Sequence, residues 1–358
     1  MPTTNDRKNF CKESFSGSNT GSGFVSFYDG IFSEESLDGL YIIKGGPGTG
    51  KSTFMKTLAD RAEMSGCSCR RYLCGSDNNS LDGIIVTDGN GKSVGILDGT
   101  PPHPKEFRSP GAAGDILNFG VFWDSISLKK RRCEIDTINR EKAVCFETAY
   151  KYLGAADKIN RHISSLTKGV YLKDKARAIA SRLVSSIGQS GFVSYIQLTG
   201  FTMNGKVILP LVDDGIKEYA VSGNDYVARL FLSDVLDVIQ SKGITAQISR
   251  SPLNLRDIEG IYFPESRVWL YIGAGDDADK VINTRRFIDK EAMSLCRQKM
   301  RFGKKCRQSL LDGATESLSA ARIHHFALEE IYKEYMDFDA LNRQSEIWYS
   351  EIMSRLDG

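Results

Sequence analysis

The stretch GGPGTGKST at residues 45–53 limits the folds open to this chain more than any other feature. It fits the pattern G-x-x-x-x-G-K-[ST] at four positions: Gly45, Gly50, Lys51 and Ser52. A short apolar run at 40–43 precedes it, and a segment with helical spacing follows it. The sequence therefore predicts a strand, a glycine-rich loop and a helix, which is the start of an α/β core.

Each residue type in this stretch has a reason to be near phosphates. Glycines let the backbone turn several N–H groups inward, and the following helix adds its positive end. Lys51 can reach the β- and γ-phosphates, the Ser52 hydroxyl can complete a Mg²⁺ shell, and Thr53 can contact the α-phosphate. The predicted ATP-binding residues are Gly45, Gly46, Pro47, Gly48, Thr49, Gly50, Lys51, Ser52 and Thr53.

A magnesium site of this kind also needs a carboxylate at the end of a neighbouring strand. Two segments compete, IIVTD ending in Asp88 and VGILD ending in Asp98. Asp88 is followed by GNGK, which is typical of a hairpin turn. Asp98 is followed by a longer loop at the carboxyl end of its strand, where ligands bind in open α/β sheets. We therefore favour Asp98 as the metal-binding and catalytic carboxylate, with Asp88 as the alternative.

The second half of the chain repeats features of the first. The matches run in the same order: SGFVSF at 22–27 with SGFVSY at 190–195, LDGI at 81–84 with IEGI at 258–261, Gly66 with Gly243, VGIL at 94–97 with VWLY at 268–271, and Ala149, Leu153 and Ala156 with Ala314, Leu318 and Ala321. Ordered matches with small gaps indicate a duplicated unit.

The second copy lacks the phosphate-binding residues. When the copies are aligned on Gly66 and Gly243, Lys51 falls on Ala228 and Ser52 on Arg229. Alignment on the apolar runs VGIL and VWLY places Asp98 on Ile272. We therefore expect the second copy not to hydrolyse ATP. Arg229 is read as a surface or interface residue, with an anion site as the alternative.

The first half resembles the P-loop NTPase superfamily. Four segments give the whole chain a resemblance to an uncharacterised bacterial family of tandem P-loop ATPases: GFVSFYDGI at 23–31, IKGGPGTGKSTFMK at 43–56, SDNNSLDG at 76–83 and ILDGTPPH at 96–103. The resemblance implies ATP binding at 45–53. The second copy often keeps its P-loop in that family, and this chain departs from the pattern. LDGTPPH is also similar to the LDGFPR stretch of adenylate kinases, without the arginine.

Other polar residues are candidates for orienting water or substrate. SDNNSLDG at 76–83 is expected beside the phosphates, with Asp77 and Asp82 as candidate catalytic residues. A plain turn rich in Asp and Asn would have a similar sequence. His103 and Arg108 lie in the loop after Asp98, as a candidate γ-phosphate contact and a candidate arginine finger.

Long helical stretches at 125–166 and 285–354 follow the two cores, and both begin with basic residues. One cluster is Lys129–Arg132; the other, RQKMRFGKKCR at 297–307, has six basic residues and no acid. Such clusters are typical of solvated helix faces, and the alternative is a site for an anionic or protein partner. Nucleic acid is the less favoured partner.

Composition restricts the cellular setting. The net charge of +2 over 358 residues is too small to attract nucleic acid or an anionic membrane through overall charge. The eight cysteines form no C-x-x-C pair, which favours reduced thiols over a zinc site. With no apolar leader and no run of 18 apolar residues, we expect a cytoplasmic protein without membrane contact.

The sequence thus predicts an α/β protein with two tandem P-loop-type cores, the second degenerate, each followed by a long helical appendage. The predicted divisions are a polar N-terminal segment at 1–21, an ATP-binding core with its arm at 22–168, and a degenerate repeat with its arm at 182–358. The favoured function is Mg²⁺-dependent ATP hydrolysis at the first core. The alternatives are a small-molecule or nucleotide kinase and a non-catalytic ATP-dependent switch.

Overall fold

A computed structural model describes residues 11–101, 104–211 and 215–357. The first repeat contains β1 (Glu13–Phe15), β2 (Gly17–Thr20), β3 (Gly23–Ser26), α1 (Tyr28–Ile31), β4 (Gly39–Lys44), α2 (Lys51–Met64), β5 (Ser68–Leu73), β6 (Leu81–Thr87), β7 (Ser93–Asp98) and β8 (Gly114–Asn118). Its helical arm contains α3 (Ser125–Lys130), α4 (Arg132–Lys168) and α5 (Lys173–Ile187).

The first sheet has the order β1-β5-β6-β7-β4-β8. β4 runs parallel to β7 and β8, while β5, β6 and β7 form an antiparallel meander. Residues 40–43 of β4 are almost fully buried, as expected for a parallel strand covered on both faces. The carboxyl ends of β4, β5 and β7 meet at one edge of the sheet, together with the start of β6.

The second repeat contains β9 (Val193–Ile196), β10 (Thr199–Thr202), β11 (Gly205–Ile208), β12 (Lys217–Ser222), α6 (Asp225–Lys242), β13 (Ala246–Arg250), β14 (Ile258–Phe263), β15 (Val268–Ile272), β16 (Lys280–Asn283), α7 (Lys290–Glu334) and α8 (Phe338–Asp357). Its sheet order, β9-β13-β14-β15-β12-β16, repeats that of the first sheet strand by strand, with the same directions. The prediction of an α/β chain with two tandem cores and long helices is thus confirmed at this level.

One of the sequence matches that suggested duplication is not structurally equivalent. Residues 22–27 include β3, which pairs with β2 in a hairpin, whereas 190–195 lead into β9, the edge strand that corresponds to β1. The counterpart of the β2–β3 hairpin is β10–β11, which follows β9 as β2–β3 follows β1. The resemblance of these two short segments therefore comes from separate parts of the repeat.

The predicted segment boundaries also shift. Glu13–Phe15 pairs with β5, so the first core includes residues assigned above to the polar segment 1–21. Position 182, the predicted start of the second unit, falls inside α5.

The helices α4 and α7 pack antiparallel along much of their length. Ile163 near the end of α4 contacts Gly303 near the start of α7, and Ile135 at the other end packs with Ile331. Midway, Ala149 and Ala314 are fully buried in one cluster. These two alanines are one of the pairs matched between the repeats in sequence, so each occupies the same place in its own arm.

The arms end on each other's cores. α5, from the first arm, packs on α6 of the second repeat, and α8, from the second arm, packs on α2 of the first. Matching backbone hydrogen bonds fix both crossings: Asp124 N–H donates to Tyr335 O, and Asp289 N–H donates to Val170 O. The two repeats have therefore exchanged their last helices.

Aromatic stacking anchors α8 on the first core. The Tyr349 ring stacks on Phe54 with centroids 4.7 Å apart, and Trp348 stacks on Phe119 at 5.5 Å. Arg61 on α2 forms a two-pronged ion pair with Glu346. This contact supports the same helix that follows the glycine-rich loop.

The eight cysteines, all within the described residues, are reduced and form no disulfide with one another. Among the described residues, no helix combines the length and apolar character that crossing a bilayer requires.

Removing buried volume from α8 should destabilise the first core. Ile352 is fully buried there, so Ile352→Ala is expected to lower the free energy of unfolding by about 2–5 kcal/mol. The control is Ile347→Ala, at a side chain on the same helix that is 52% exposed, which should change stability by no more than about 0.5 kcal/mol. Denaturant melts followed by tryptophan fluorescence compare them; equal effects would contradict the exchanged packing.

Candidate nucleotide site

The glycine-rich loop, residues 45–50, joins β4 to α2 at the edge where the parallel strands end. Gly48 and Gly50 have φ of +70° and +90°, in the left-handed region that glycine adopts without strain. Gly50 is also the N-cap of α2 and carries no side chain to cap it. The N-cap residue therefore makes no side-chain hydrogen bond to the first N–H groups of α2. An anion site requires such N–H groups to be available to the ligand.

Lys51 folds back over this loop. Its ammonium donates to the backbone carbonyls of Gly45 at 3.0 Å and Gly46 at 2.6 Å, and lies 3.5 Å from Asp98 Oδ2. The Lys51 side chain is only 11% exposed. The loop carbonyls thus fix one positive charge at the mouth of the loop.

Asp98 ends β7, directly beside β4, where it pairs with Ile43. Its Oδ1 accepts from the Thr100 N–H at 3.0 Å and from the Thr100 hydroxyl at 2.5 Å. Burial raises the pKa of Asp98 and the charge of Asp82 adds to the rise, while Lys51 and Thr100 oppose it. The site therefore holds a carboxylate whose charge is incompletely compensated, which favours a cation.

The alternative carboxylate is far less suited. Asp88 follows β6 at the turn into β7, and its Oδ1 accepts from the N–H groups of Asn90 and Lys92. Asp88 is therefore the turn residue that the GNGK sequence indicates, at the opposite end of β7 from Asp98.

The remaining predicted loop residues divide into buried and exposed groups. The Thr49 hydroxyl is buried and donates to Gly46 O, so it braces the loop. Ser52 Oγ accepts from the Leu81 N–H at 2.9 Å, which holds the hydroxyl at the start of β6. Pro47 is half-buried and Thr53 is exposed on the first turn of α2.

A second carboxylate lies beside Asp98. Asp82, on β6, is buried and accepts from the Ser16 hydroxyl at 2.6 Å. The Tyr28 hydroxyl lies 3.1 Å from the backbone carbonyl oxygens of both Asp82 and Asp98. Tyr28 therefore links β6 and β7 at the positions of these two aspartates. Nothing in the sequence around Tyr28 indicated this positioning role.

The SDNNSLDG segment does lie at this edge, but its residues do different things. Asp77 builds a turn, since its oxygens accept from the Asn79 N–H and the Ser80 hydroxyl. Asn78 Oδ1 accepts from Thr202 and Asn204 of the second repeat. Both carboxylate oxygens of Asp77 are therefore engaged within its own turn.

The loop after Asp98 places no predicted residue beside the glycine-rich loop within the part of the chain that the structure describes. His103 lies outside the described residues. Arg108 is exposed and its Nη1 pairs with Glu35 at 2.8 Å, so it contacts the surface rather than the glycine-rich loop.

The donor set suits a hard, hydrated cation. Among the described residues no group of three or more His, Cys, Asp or Glu side chains is arranged to hold a metal ion. Ser52 and Asp98 supply only oxygen, and Mg²⁺ binds through one or two carboxylates while keeping waters and substrate phosphates as its other ligands. These residues therefore fit Mg²⁺ that arrives with a nucleotide.

The corresponding place in the second repeat is built differently. Strand pairing of Val221 with Ile272 matches that of Ile43 with Asp98, so Ile272 stands where the carboxylate would be. The helix α6 starts at Asp225, earlier than its counterpart α2. Its first N–H groups are capped by Asn224, whose Oδ1 accepts from Tyr226 and Val227.

Arg229, at the place of Ser52, lies 3.4 Å from Glu259, at the place of Asp82. Both side chains are about one-sixth exposed, at 17% and 15%. A fixed guanidinium thus occupies the position where the first repeat offers a metal-binding hydroxyl. This arrangement is incompatible with a second MgATP site of the same design.

Helices from the second repeat border the glycine-rich loop. A side chain at Gly46 would meet the Tyr332 ring at 2.8 Å, and one at Gly48 would meet the Glu329 carbonyl oxygen at 2.7 Å. Leu341 and Phe338 of α8 face Gly50. The loop is therefore in direct contact with α7 and α8, a contact that no sequence pattern indicated.

Comparison with models of known families, with curated proteins and with solved structures found no match for this chain.

The burial of Asp98 predicts a pH-dependent stability effect. A raised pKa means that ionised Asp98 is disfavoured in the folded state, so near neutral pH Asp98→Asn should raise the unfolding midpoint of the protein without Mg²⁺ or nucleotide. The gain should shrink as pH falls through the raised pKa and vanish below the unfolded value of about 4. A lower midpoint for Asp98→Asn near neutral pH would show that the attraction of Lys51 outweighs burial.

The contact between the loop and α7 can be tested with two glycines. Gly48→Ala adds a methyl group against backbone at a positive φ, whereas Gly66→Ala, at φ +86°, meets nothing within 4 Å. Both substitutions carry the left-handed strain of about 1 kcal/mol, and Gly48→Ala should lose about 1–3 kcal/mol more. Thermal melts compare the two; equal losses would mean that α7 does not press on the loop.

Proposed function

We propose that the first repeat binds MgATP and hydrolyses it, and that the second repeat is a non-hydrolytic partner. The observation that carries this proposal is the convergence of Lys51 and Asp98 on one loop. The Lys51 ammonium is held by two loop carbonyls and sits 3.5 Å from the Asp98 carboxylate, which is 16% exposed, on the adjacent parallel strand. This arrangement suits a loop that binds phosphates beside a carboxylate that binds a metal ion.

Each group then has a defined task. The amides of residues 45–50 and the start of α2 hold the phosphate oxygens, and Lys51 stabilises the charge that develops on the β- and γ-phosphates. Ser52 and Asp98 hold Mg²⁺, which supplies neutralising charge when bound. Asp82 accepts a hydrogen bond from the attacking water and orients it. Catalysis rests on positioning and electrostatics, since phosphoryl transfer to water needs no covalent enzyme intermediate.

In this proposal the second repeat borders the nucleotide site and does not carry out a reaction of its own. Its helices α7 and α8 contact the glycine-rich loop through Tyr332, Glu329 and Phe338. Its own site carries the Arg229–Glu259 pair and a self-capped helix. Nucleotide turnover at the first site would therefore act on the arms across this contact.

The direct test is phosphate release by the purified protein with ATP and Mg²⁺. Lys51→Ala should lower the rate by about 100-fold or more, because it removes the charge that stabilises the transition state. The control is Lys175→Ala, at an exposed lysine on α5, which should leave the rate unchanged. Wild-type turnover by Lys51→Ala would overturn the site assignment.

The same assay separates the two other functions that the sequence leaves open. A kinase would release phosphate slowly and transfer it when the right nucleotide or small-molecule acceptor is added. A non-catalytic switch would bind ATP tightly in equilibrium titrations and release no phosphate with any acceptor.

A further inference from the structure

The start of α7 carries a row of exposed cations. Arg297, Arg301 and Lys305 follow one another at four-residue intervals, so they lie about 6 Å apart along one side of the helix. Lys299 is exposed as well. None of these four forms an ion pair with any part of the chain that the structure describes. We call these four residues the basic row.

The equivalent stretch of α4 serves as an internal comparison. When the two arms are aligned on Ala149 and Ala314, Arg132, Asp136 and Arg140 correspond to Arg297, Arg301 and Lys305. On α4 the charges are mixed, and Arg132 Nε pairs with Asp136 at 3.4 Å. Both stretches perform the same packing task in the antiparallel helix pair. The excess positive charge on α7 is therefore not required by the fold.

Two exposed apolar side chains lie beside the basic row. Phe302 is 71% exposed and Leu295, two helical turns before it, is 86% exposed. The residue of α4 that corresponds to Phe302 is Thr137. From the sequence alone, nucleic acid is the less favoured partner. The exposure of the Phe302 ring among the cations makes nucleic acid more favoured, because a base can stack on that ring.

Positive charge continues inward from the basic row. Lys304 Nζ lies 5.5 Å from the centre of the Tyr226 ring, and Arg307 Nη1 donates to the Tyr226 hydroxyl. Arg229 approaches the same ring from α6 at 5.8 Å. Two partly buried acids, Asp257 and Glu259, balance part of this inner charge, so the unbalanced charge is on the exposed side.

We propose that this face of α7 binds single-stranded nucleic acid. The basic row would contact successive phosphates, and Phe302 would stack on a base, which is the combination that single-strand binding proteins use. A membrane fits less well, because Phe302 and Leu295 are the only large apolar side chains exposed on this described stretch of α7 (290–307), while the opposite side of the helix packs on α4. An acidic protein segment would pair with the cations without requiring the aromatic ring of Phe302 among them.

The test is a titration of fluorescein-labelled single-stranded DNA and RNA of mixed sequence with the full-length protein, followed by fluorescence anisotropy at several salt concentrations. Four phosphate contacts predict a slope of log affinity against log salt of about −3. Duplex DNA of the same length should bind more weakly, because its bases are not available for stacking.

Two variants separate charge from stacking, and both change exposed residues. Arg301→Asp restores the charge pattern of α4, so it should fold normally, weaken binding about tenfold and make the salt slope shallower by about 0.7 or more. Phe302→Ala should weaken binding about tenfold without changing the slope. The control, Arg140→Asp on α4, makes the same change in net charge and should bind like the wild type.

Three results would overturn the proposal. One is an absence of binding at low salt. Another is equal weakening by Arg301→Asp and Arg140→Asp, which would indicate only bulk charge. The third is wild-type binding by Phe302→Ala together with equally tight binding of an acidic peptide or of anionic vesicles, which would assign the surface to those partners. ATP hydrolysis by the Lys51 site enters none of these measurements.

Discussion

The antiparallel packing of α4 on α7 is the constraint on which the rest of the structure depends. Small residues let these helices approach: Ala149 and Ala314 meet midway, and Gly303 of α7 lies against Ile163 of α4. Because each helix runs from its own core toward the other, the chain that follows can only fold onto the opposite core. The exchange of α5 and α8 is therefore a consequence of helix direction, and it brings the second repeat to the glycine-rich loop.

Local signals predicted much of the candidate site. A β-prone run, a glycine-rich loop and a helix indicated the geometry around Lys51, and the contrast between a tight turn and a long loop separated Asp88 from Asp98. Contacts between distant parts of the chain left no such signal. Tyr332 and Phe338 look like ordinary helix residues in the sequence, and Tyr28 acquires its role only because β6 and β7 place two carbonyls beside its hydroxyl.

The duplication was recognisable because short matching segments recur in the same order with small gaps, as with LDGI at 81–84 and IEGI at 258–261. The match of 22–27 with 190–195 was misleading. These segments share identical residues, but they occupy different places in the two repeats, which a direct comparison of sequences does not reveal. Backbone pairing is the firmer guide, since it sets Ile272 opposite Val221 as Asp98 stands opposite Ile43. The second copy differs from the first by more than the loss of the lysine and the aspartate of the predicted nucleotide site. Asn224 caps the helix that would otherwise offer its amides to an anion, and Arg229 supplies a built-in cation.

The helix α7 is continuous from Lys290 to Glu334, with Glu329 touching the glycine-rich loop near its end and Arg301 lying about 40 Å away near its beginning. A rigid rod converts a small tilt at one end into a larger displacement at the other. Any rearrangement of Gly48 as phosphates enter or leave would press directly on backbone atoms of that rod, with no flexible side chain between them to absorb it. The second repeat is therefore coupled to the glycine-rich loop through the backbone of α7 itself.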